Sequence, residues 1–406
     1  MNKLLLGTAL VGAIALHGLS TLPATAQTKD SLTIGFTLEP PHLDPTAGAA
    51  GAIDATVYAN VFEGLTRIDE NGAVQPQLAE SWSVSEDGLV YTFNLKTGVT
   101  FHDGTAFDSD DVVFSFDRAQ AENSVNAQKP LFVAIEKVVA VDPQTVQVVL
   151  WRPEGSLLFN LGWGDAVIVA PESASTNKTN PVGTGPFKFS RWVKGDRVEL
   201  VAVSKDSPIQ KAVFRFIPDP SAQVAALKAG DIDAITNLNA PEAVLAFQAD
   251  SNFEVAIGST EGETILSINN TRAPLNDVRV RRAIAHAIDR QAIIDGAMFG
   301  FGTPIGTHFA PHHPAYVDLT GTYPHDPAKA KALLAEAGVS DLKLTLKLPP
   351  PIYARRGGEI VAAQLKEAGI AVEIIPVEWA QWLEQVFRGD DFDLTIVSHT
   401  EPLDIG

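Results

Sequence analysis

Histidines, acids and glycines are the residues whose types and spacing suggest chemistry in this chain. His308, His312 and His313 fall close together in a proline-rich stretch. A metal centre asks for fixed spacing on a rigid element and a further ligand. This stretch offers neither, so the three read as a solvated loop and no metal is expected. The run Asp108-Ser109-Asp110-Asp111 shares only its acids with a calcium loop. It lacks the glycine and the closing glutamate of that motif, and an apolar helical pattern follows it, so helix N-capping is the better account. Gly183-Thr184-Gly185-Pro186 lacks the Gly-Lys-Ser/Thr ending of a phosphate loop, and its proline removes an N–H. Gly300-Phe301-Gly302 reads as a turn. The chain contains neither a Gly-x-Ser-x-Gly nucleophile elbow nor a His-Glu-x-x-His zinc motif. It has no cysteine, which removes disulfides, thiolate metal sites and thiol nucleophiles together. The expectation is a protein that binds rather than transforms: no enzyme, no cofactor.

Charge and length narrow the partners. A formal net charge of -19 argues against nucleic acid, because phosphate binding needs a basic face. At 45 % apolar and 19 % charged the chain is globular, and 406 residues exceed one ordinary core, so two lobes are expected. Lys3, the apolar run Leu4 to Leu16 and Ala24-Thr25-Ala26 before Gln27 have the order of a secretory signal peptide, residues 1–26. The run is too short to span a bilayer comfortably. Without the lipobox cysteine of a tethered protein, the expected location is the periplasm, with release to the medium as the alternative.

The elements that must position any site alternate between helix and strand, which reads as α/β. Tyr91, Phe93 and Leu95 share one face of a strand, and Leu342, Leu344, Leu346 and Leu348 share one face of another. Ser31 to Phe36, Arg197 to Val203 and Ile370 to Val377 are further strands. Asp219-Pro220 and Asp326-Pro327 each place a capping carboxylate before a proline at the first helical position, with Gly230 and Gly338 as stops. Asn276 or Asp277 caps a helix whose Val280, Ile284 and Ile288 form one buried stripe. Glu359 to Ala368 is a helix stopped by Gly369. Trp379 follows a strand, where it either stacks on a ligand or packs in the core.

Four segments, in order, carry a resemblance. The first runs from Val61-Phe62-Glu63-Gly64-Leu65-Thr66 through Pro76-Gln77-Leu78-Ala79-Glu80-Ser81-Trp82 to Gly98-Val99-Thr100-Phe101-His102-Asp103-Gly104 and Asp111-Val112-Val113-Phe114. The others are Pro181-Val182-Gly183-Thr184-Gly185-Pro186-Phe187, Ala226-Leu227-Lys228-Ala229-Gly230-Asp231-Ile232-Asp233, and Asp277-Val278-Arg279-Val280-Arg281-Arg282-Ala283-Ile284 with Ala287-Ile288-Asp289-Arg290. Together they resemble the family-5 extracellular solute-binding proteins of ABC importers, the dipeptide, oligopeptide and nickel group. Read bottom-up, these residues are mainly scaffold: Gly183 and Gly185 permit turn angles that a side chain forbids, while Trp82 and Phe101 fill a core.

The resemblance implies a two-lobed periplasmic-binding-protein fold (type II-like) with an extra subdomain inserted in lobe I. It sets lobe I at 27–268, the insertion at about 63–182, and lobe II at 269–406. Family members continue past the position of Gly406 and return to lobe I, so lobe II is expected to be incomplete and the chain truncated. The implied partners are a peptide or related small solute and an ABC permease at the inner membrane, with the protein a monomer. The loop after the first strand, Glu39 to Gly51 with Ala50, is implied to line the cleft. An acid beyond a lobe II strand, Glu401 or Asp404, is implied to hold a ligand ammonium, with His399 where the family usually has tryptophan, and Thr400 beside it. Arg355, in Pro349-Pro350-Pro351-Ile352-Tyr353-Ala354-Arg355-Arg356, is the candidate for a ligand carboxylate, with Tyr353 nearby; the two arginines read equally as a solvated helix face. Other readings stay open: a metal chelate, an opine or a sugar derivative as ligand, or a transport-free sensor or chaperone.

Overall fold

The computed structural model describes residues 29–400 apart from 49, 261 and 314. The expected signal peptide, Glu401 and Asp404 lie outside the described residues. β1 (Ser31–Phe36) opens the chain. β2 (Thr66–Ile68) and β3 (Val74–Pro76) form a small hairpin. β4 (Ala79–Val84), β5 (Val90–Leu95), β6 (Ile135–Asp142) and β7 (Thr145–Leu150) make an antiparallel sheet in the order β4-β5-β7-β6. β8 (Phe187–Val193), β9 (Arg197–Ala202), β10 (Lys211–Phe216) and β11 (Ala234–Ile235) then join β1 in the order β11-β1-β10-β9-β8. β12 (Gly262–Ile268), β13 (Lys343–Leu348), β14 (Ala371–Pro376) and β15 (Leu394–Thr400) form the last sheet, β12-β15-β13-β14. The α/β expectation holds, and the two mixed sheets organise the two lobes.

Each sheet has its own core. Phe93, Phe101, Phe116 and Phe132 pack together over the antiparallel sheet, Phe36, Phe62 and Phe214 over the first mixed sheet, and Leu344, Leu346, Leu348, Val361 and Leu365 over the second. Burying each such side chain contributes roughly 1.5–3 kcal/mol. The expected alternation along β5 and β13 is therefore what the cores use, although Lys347, on the polar face of β13, is also buried.

The caps form as expected. Asp219, Asp326 and Asp277 each accept a backbone N–H in the following first turn, and Gly230 takes the left-handed conformation at φ 77°. Asp108 and Asp111 close a reciprocal capping box on the helix Ser109–Gln120, which accounts for the acid run. Two expectations need correcting. The helix expected from Glu359 begins at Ile352 and ends at Glu367, with Pro351 at its cap. Gly357-Gly358 disfavours helix locally, but packing overrides it, since a Cβ on Gly358 would stand 2.3 Å from Leu348 Cδ1. Gly183 and Gly185 serve close approach rather than turn angles: neither has positive φ, and a Cβ on them would stand 2.0 Å from the Val61 carbonyl oxygen and 2.5 Å from that of Asn60.

Candidate functional site

Strand direction points to a candidate site. β1, β10 and β11 run parallel, so their carboxyl ends collect Phe36, Phe216 and Ile235 at one edge of the first mixed sheet. β13, β14 and β15 run parallel in the second, which collects Leu348, Pro376 and Thr400. Open α/β sheets bind ligands outside such edges. Segments beyond the two edges touch. Glu242, seven residues past β11, receives two hydrogen bonds from Arg356, eight residues past β13, at 3.1 and 3.2 Å.

On the lobe I side the loop after β1 is pinned. Glu39 accepts the Trp192 indole N–H at 2.9 Å and the Gly195 N–H at 3.0 Å, so its carboxylate fastens the loop to the β8–β9 turn. The Thr37 hydroxyl oxygen accepts from Gln223 and Asn239, both at 3.2 Å. Asp44, wholly buried, accepts from the Thr46 N–H at 3.0 Å and from Arg118 at 3.0 Å. Ala50 caps the short helix Gly51–Val57 without a side-chain bond, and Gly51 is exposed with open space where a Cβ would lie.

On the lobe II side the candidates gather at the strand ends. Arg355 donates to the Pro349 carbonyl at 2.9 Å and to the Val377 carbonyl at 3.0 Å, tying the segments beyond β13 and β14 together. The Tyr353 hydroxyl accepts the Ser398 N–H at 3.2 Å, and burial pushes its pKa up. Trp379 is 37 % exposed, and its ring lies parallel to that of Trp382 at 5.2 Å and 7°. Trp382 is buried and donates to Thr395 Oγ1 at 2.9 Å, so the outer ring is held on a fixed inner one. His399 is half-buried, opposite Glu263 in the β12–β15 register, and Thr400 ends β15.

Three features escaped the sequence reading. Glu263 is buried at the β12 end of this edge, with His308 Nδ1 3.2 Å from its carboxylate. The histidine loop is not uniformly solvated, because His313 is buried and stacks on Phe309 at 4.5 Å. Asp54, on the helix Gly51–Val57, and the buried Asp165 form an acid pair, with an oxygen of each carboxylate shut off from solvent. Gly164 makes room for it, since a Cβ there would stand 2.3 Å from Asp54 Oδ1. Desolvation pushes the Asp54 pKa up to about 6. Desolvation, with Asp54 adding to it, pushes that of Asp165 up to about 7. No periodicity links acids so far apart in the chain.

A sequence profile of the bacterial extracellular solute-binding proteins, family 5 (middle region), matches residues 73–402. The chain belongs to this family. The family 5 chain is 33 % identical over 358 residues to the dipeptide-binding protein of Escherichia coli K12, covering 78 % of itself and 66 % of that protein. It is 31 % identical over 353 residues to heme-binding protein A of Haemophilus influenzae, covering 78 % of itself and 64 % of that protein. The family 5 chain thus spans about two thirds of the length of these relatives. Among solved structures, it superposes on the Helicobacter pylori periplasmic binding protein DppA in complex with the peptide STSA with a TM-score of 0.81, at 27 % identity, covering 91 % of this chain and 78 % of that one. The binding protein AgaA from A. tumefacien R10 in complex with agropinic acid gives 0.79 at 30 % identity, covering 91 % and 77 %. These similar proteins are binders by name. Among the described residues of the family 5 chain, no helix is long and apolar enough to cross a membrane.

Proposed function

We propose that this chain is the periplasmic solute-binding component of an ABC importer. It captures a peptide or related small solute between its lobes, closes about a hinge, and delivers the solute to a membrane permease. The observation that carries the reading is the pair of hydrogen bonds by which Arg356, beyond the parallel-strand edge of one sheet, holds Glu242, beyond that of the other. An open–closed equilibrium biased by ligand suffices, and no bond need break. The exposed face of Trp379 stacks on the ligand; His399 and Thr400 flank it, with Glu401 or Asp404 as partner for a ligand ammonium. Arg355 already spends two of its N–H groups on backbone carbonyls, so its share is to shape the edge and to offer its remaining donors to a carboxylate.

The test is gentle purification, denaturation, and mass spectrometry of the small molecules released, followed by calorimetric titration with what is found. Co-purifying short peptides that rebind support the proposal. A single opine or metal chelate that rebinds, with no peptide binding, would replace peptide by that class. An empty protein whose melting responds to no peptide, opine or chelate overturns the binding reading.

A further inference from the structure

Two motifs of the sequence, Phe101-His102-Asp103-Gly104 and Gly183-Thr184-Gly185-Pro186, meet in the fold, and the candidate solute site uses neither. The His102 backbone N–H donates to the Gly183 carbonyl at 2.9 Å. Its ring then grips both glycines. Nε2 lies 2.8 Å from the Gly185 carbonyl oxygen, which can only accept. Nδ1 lies 3.4 Å from the Gly183 nitrogen, whose N–H can only donate. One form of the imidazole satisfies both neighbours: neutral, with its proton on Nε2. Thr184, between the two glycines, donates its hydroxyl to Glu63 at 2.9 Å. The Gly185 and Phe187 N–H groups donate to the Val61 and Asn60 carbonyls, both at 2.9 Å. His102 and Glu63 therefore hold, from two sides, the three residues through which these backbones join.

We propose that His102 is an acid-released latch on the joint between residues 60–63 and 183–187. A second ring proton sits on Nδ1 and faces the Gly183 N–H, donor against donor, so the grip on Gly183 is lost and the joint loosens. Burial holds the His102 pKa below its usual range and Lys188 adds to this, while the Gly185 carbonyl and the Asp103 carboxylate act the other way. A ring that binds a proton less tightly in the closed joint than in the open one supports closure above about pH 6.5 and withdraws that support as the pH falls. Glu63 acts in the opposite sense. Burial pushes its pKa up, against the hydrogen bond from Thr184 and the charge of Lys96, so protonation there favours the closed joint.

The test reads amide hydrogen exchange at Gly185 and Phe187 in the full ligand-free chain, corrected for the intrinsic rate at each pH. Protection of both is expected to fall about fivefold on going from slightly alkaline to mildly acid solution, the loss of one hydrogen bond, while the amides of β10 keep theirs. In H102Q, whose side chain does not titrate, protection is already low in alkali and does not change with pH. In E63Q the wild-type response persists; its disappearance there would assign it to Glu63 and overturn the latch. Protection indifferent to pH in the wild type, or a wild-type response in H102Q, overturns it as well. If H102Q does not fold, the ring-nitrogen resonances of His102 in the wild type decide: a neutral ring protonated at Nε2 is expected above neutral pH, and a ring protonated at Nδ1 or at both nitrogens overturns the proposal. No solute enters the measurement, so its failure leaves the solute-binding reading intact, and an unidentified solute leaves the latch intact.

Discussion

Two clusters of buried charge, one in each lobe, are handled in opposite ways. In lobe II the Lys347 ammonium is buried on the polar face of β13, and Asp391 meets it at 2.7 Å. Arg272 bridges Asp391 and Asp393 at 3.0 and 3.3 Å, and Asp393 also accepts from the Thr345 N–H at 2.9 Å and its hydroxyl at 2.8 Å. Hydrogen bonds from Lys347 and then Arg272 hold the Asp391 carboxyl below its usual range. In lobe I, no cation among the described residues pairs with Asp54 or Asp165, and both are pushed up instead. A neutralised network stiffens the sheet that carries it. An uncompensated pair costs stability, and this one includes a residue of the helix Gly51–Val57. The difference teaches that a buried aspartate stiffens the fold where a cation meets it and costs stability where desolvation stands alone.

The contrast can be broken from either side. The largest effect is expected for Asp393→Ala, which strips partners from a strand N–H, a hydroxyl and Arg272; a loss of about 3 kcal/mol in urea unfolding is expected, and a loss near zero would make the network ornamental. Asp165→Asn acts in the other direction. A carboxyl whose folded pKa is raised binds its proton more tightly folded than unfolded, so its contribution is best below about pH 4 and declines as pH rises towards 7. Removing it stabilises by an amount on the order of 2 kcal/mol at pH 8, with the gain vanishing near pH 4. A gain that does not vary with pH would show that packing, not ionisation, is the cause.

Smaller effects sharpen the comparison at the cleft. Trp379→Ala is expected to weaken solute binding about tenfold with little change in melting, because one face of the ring is already free of the core. A large stability loss would return that residue to the scaffold. Arg272→Gln, acting on an exposed part of the lobe II network, should lower the melting point least, and high salt should erase the difference from wild type.

How much of this was legible follows from the range of each interaction. The caps at Asp219, Asp277 and Asp326 are local, and the residue spacing displays them. The alternation along β5 and β13 is equally local. The helix start at Ile352 was hidden because Gly357-Gly358 argues against helix, and only Leu348, seated against the glycine, answers that. The histidine loop looked polar because stacking of His313 on Phe309 is a matter of fold. Of the candidates, Tyr353, Arg355 and Trp379 follow strand ends and His399 lies at one, while Glu39 is spent on Trp192 and Gly195. Glu263, the Asp54–Asp165 pair and the Arg356–Glu242 bond join segments that only topology brings together, so no window of sequence contains them.

The Asn60 and Val61 carbonyls accept the N–H groups of Phe187 and Gly185, both at 2.9 Å. The two ends of the stretch 62–184 therefore meet at one spot, where glycine lets the two backbones touch. A stretch clasped at its ends passes a pull on the chain across the clasp rather than along its own length.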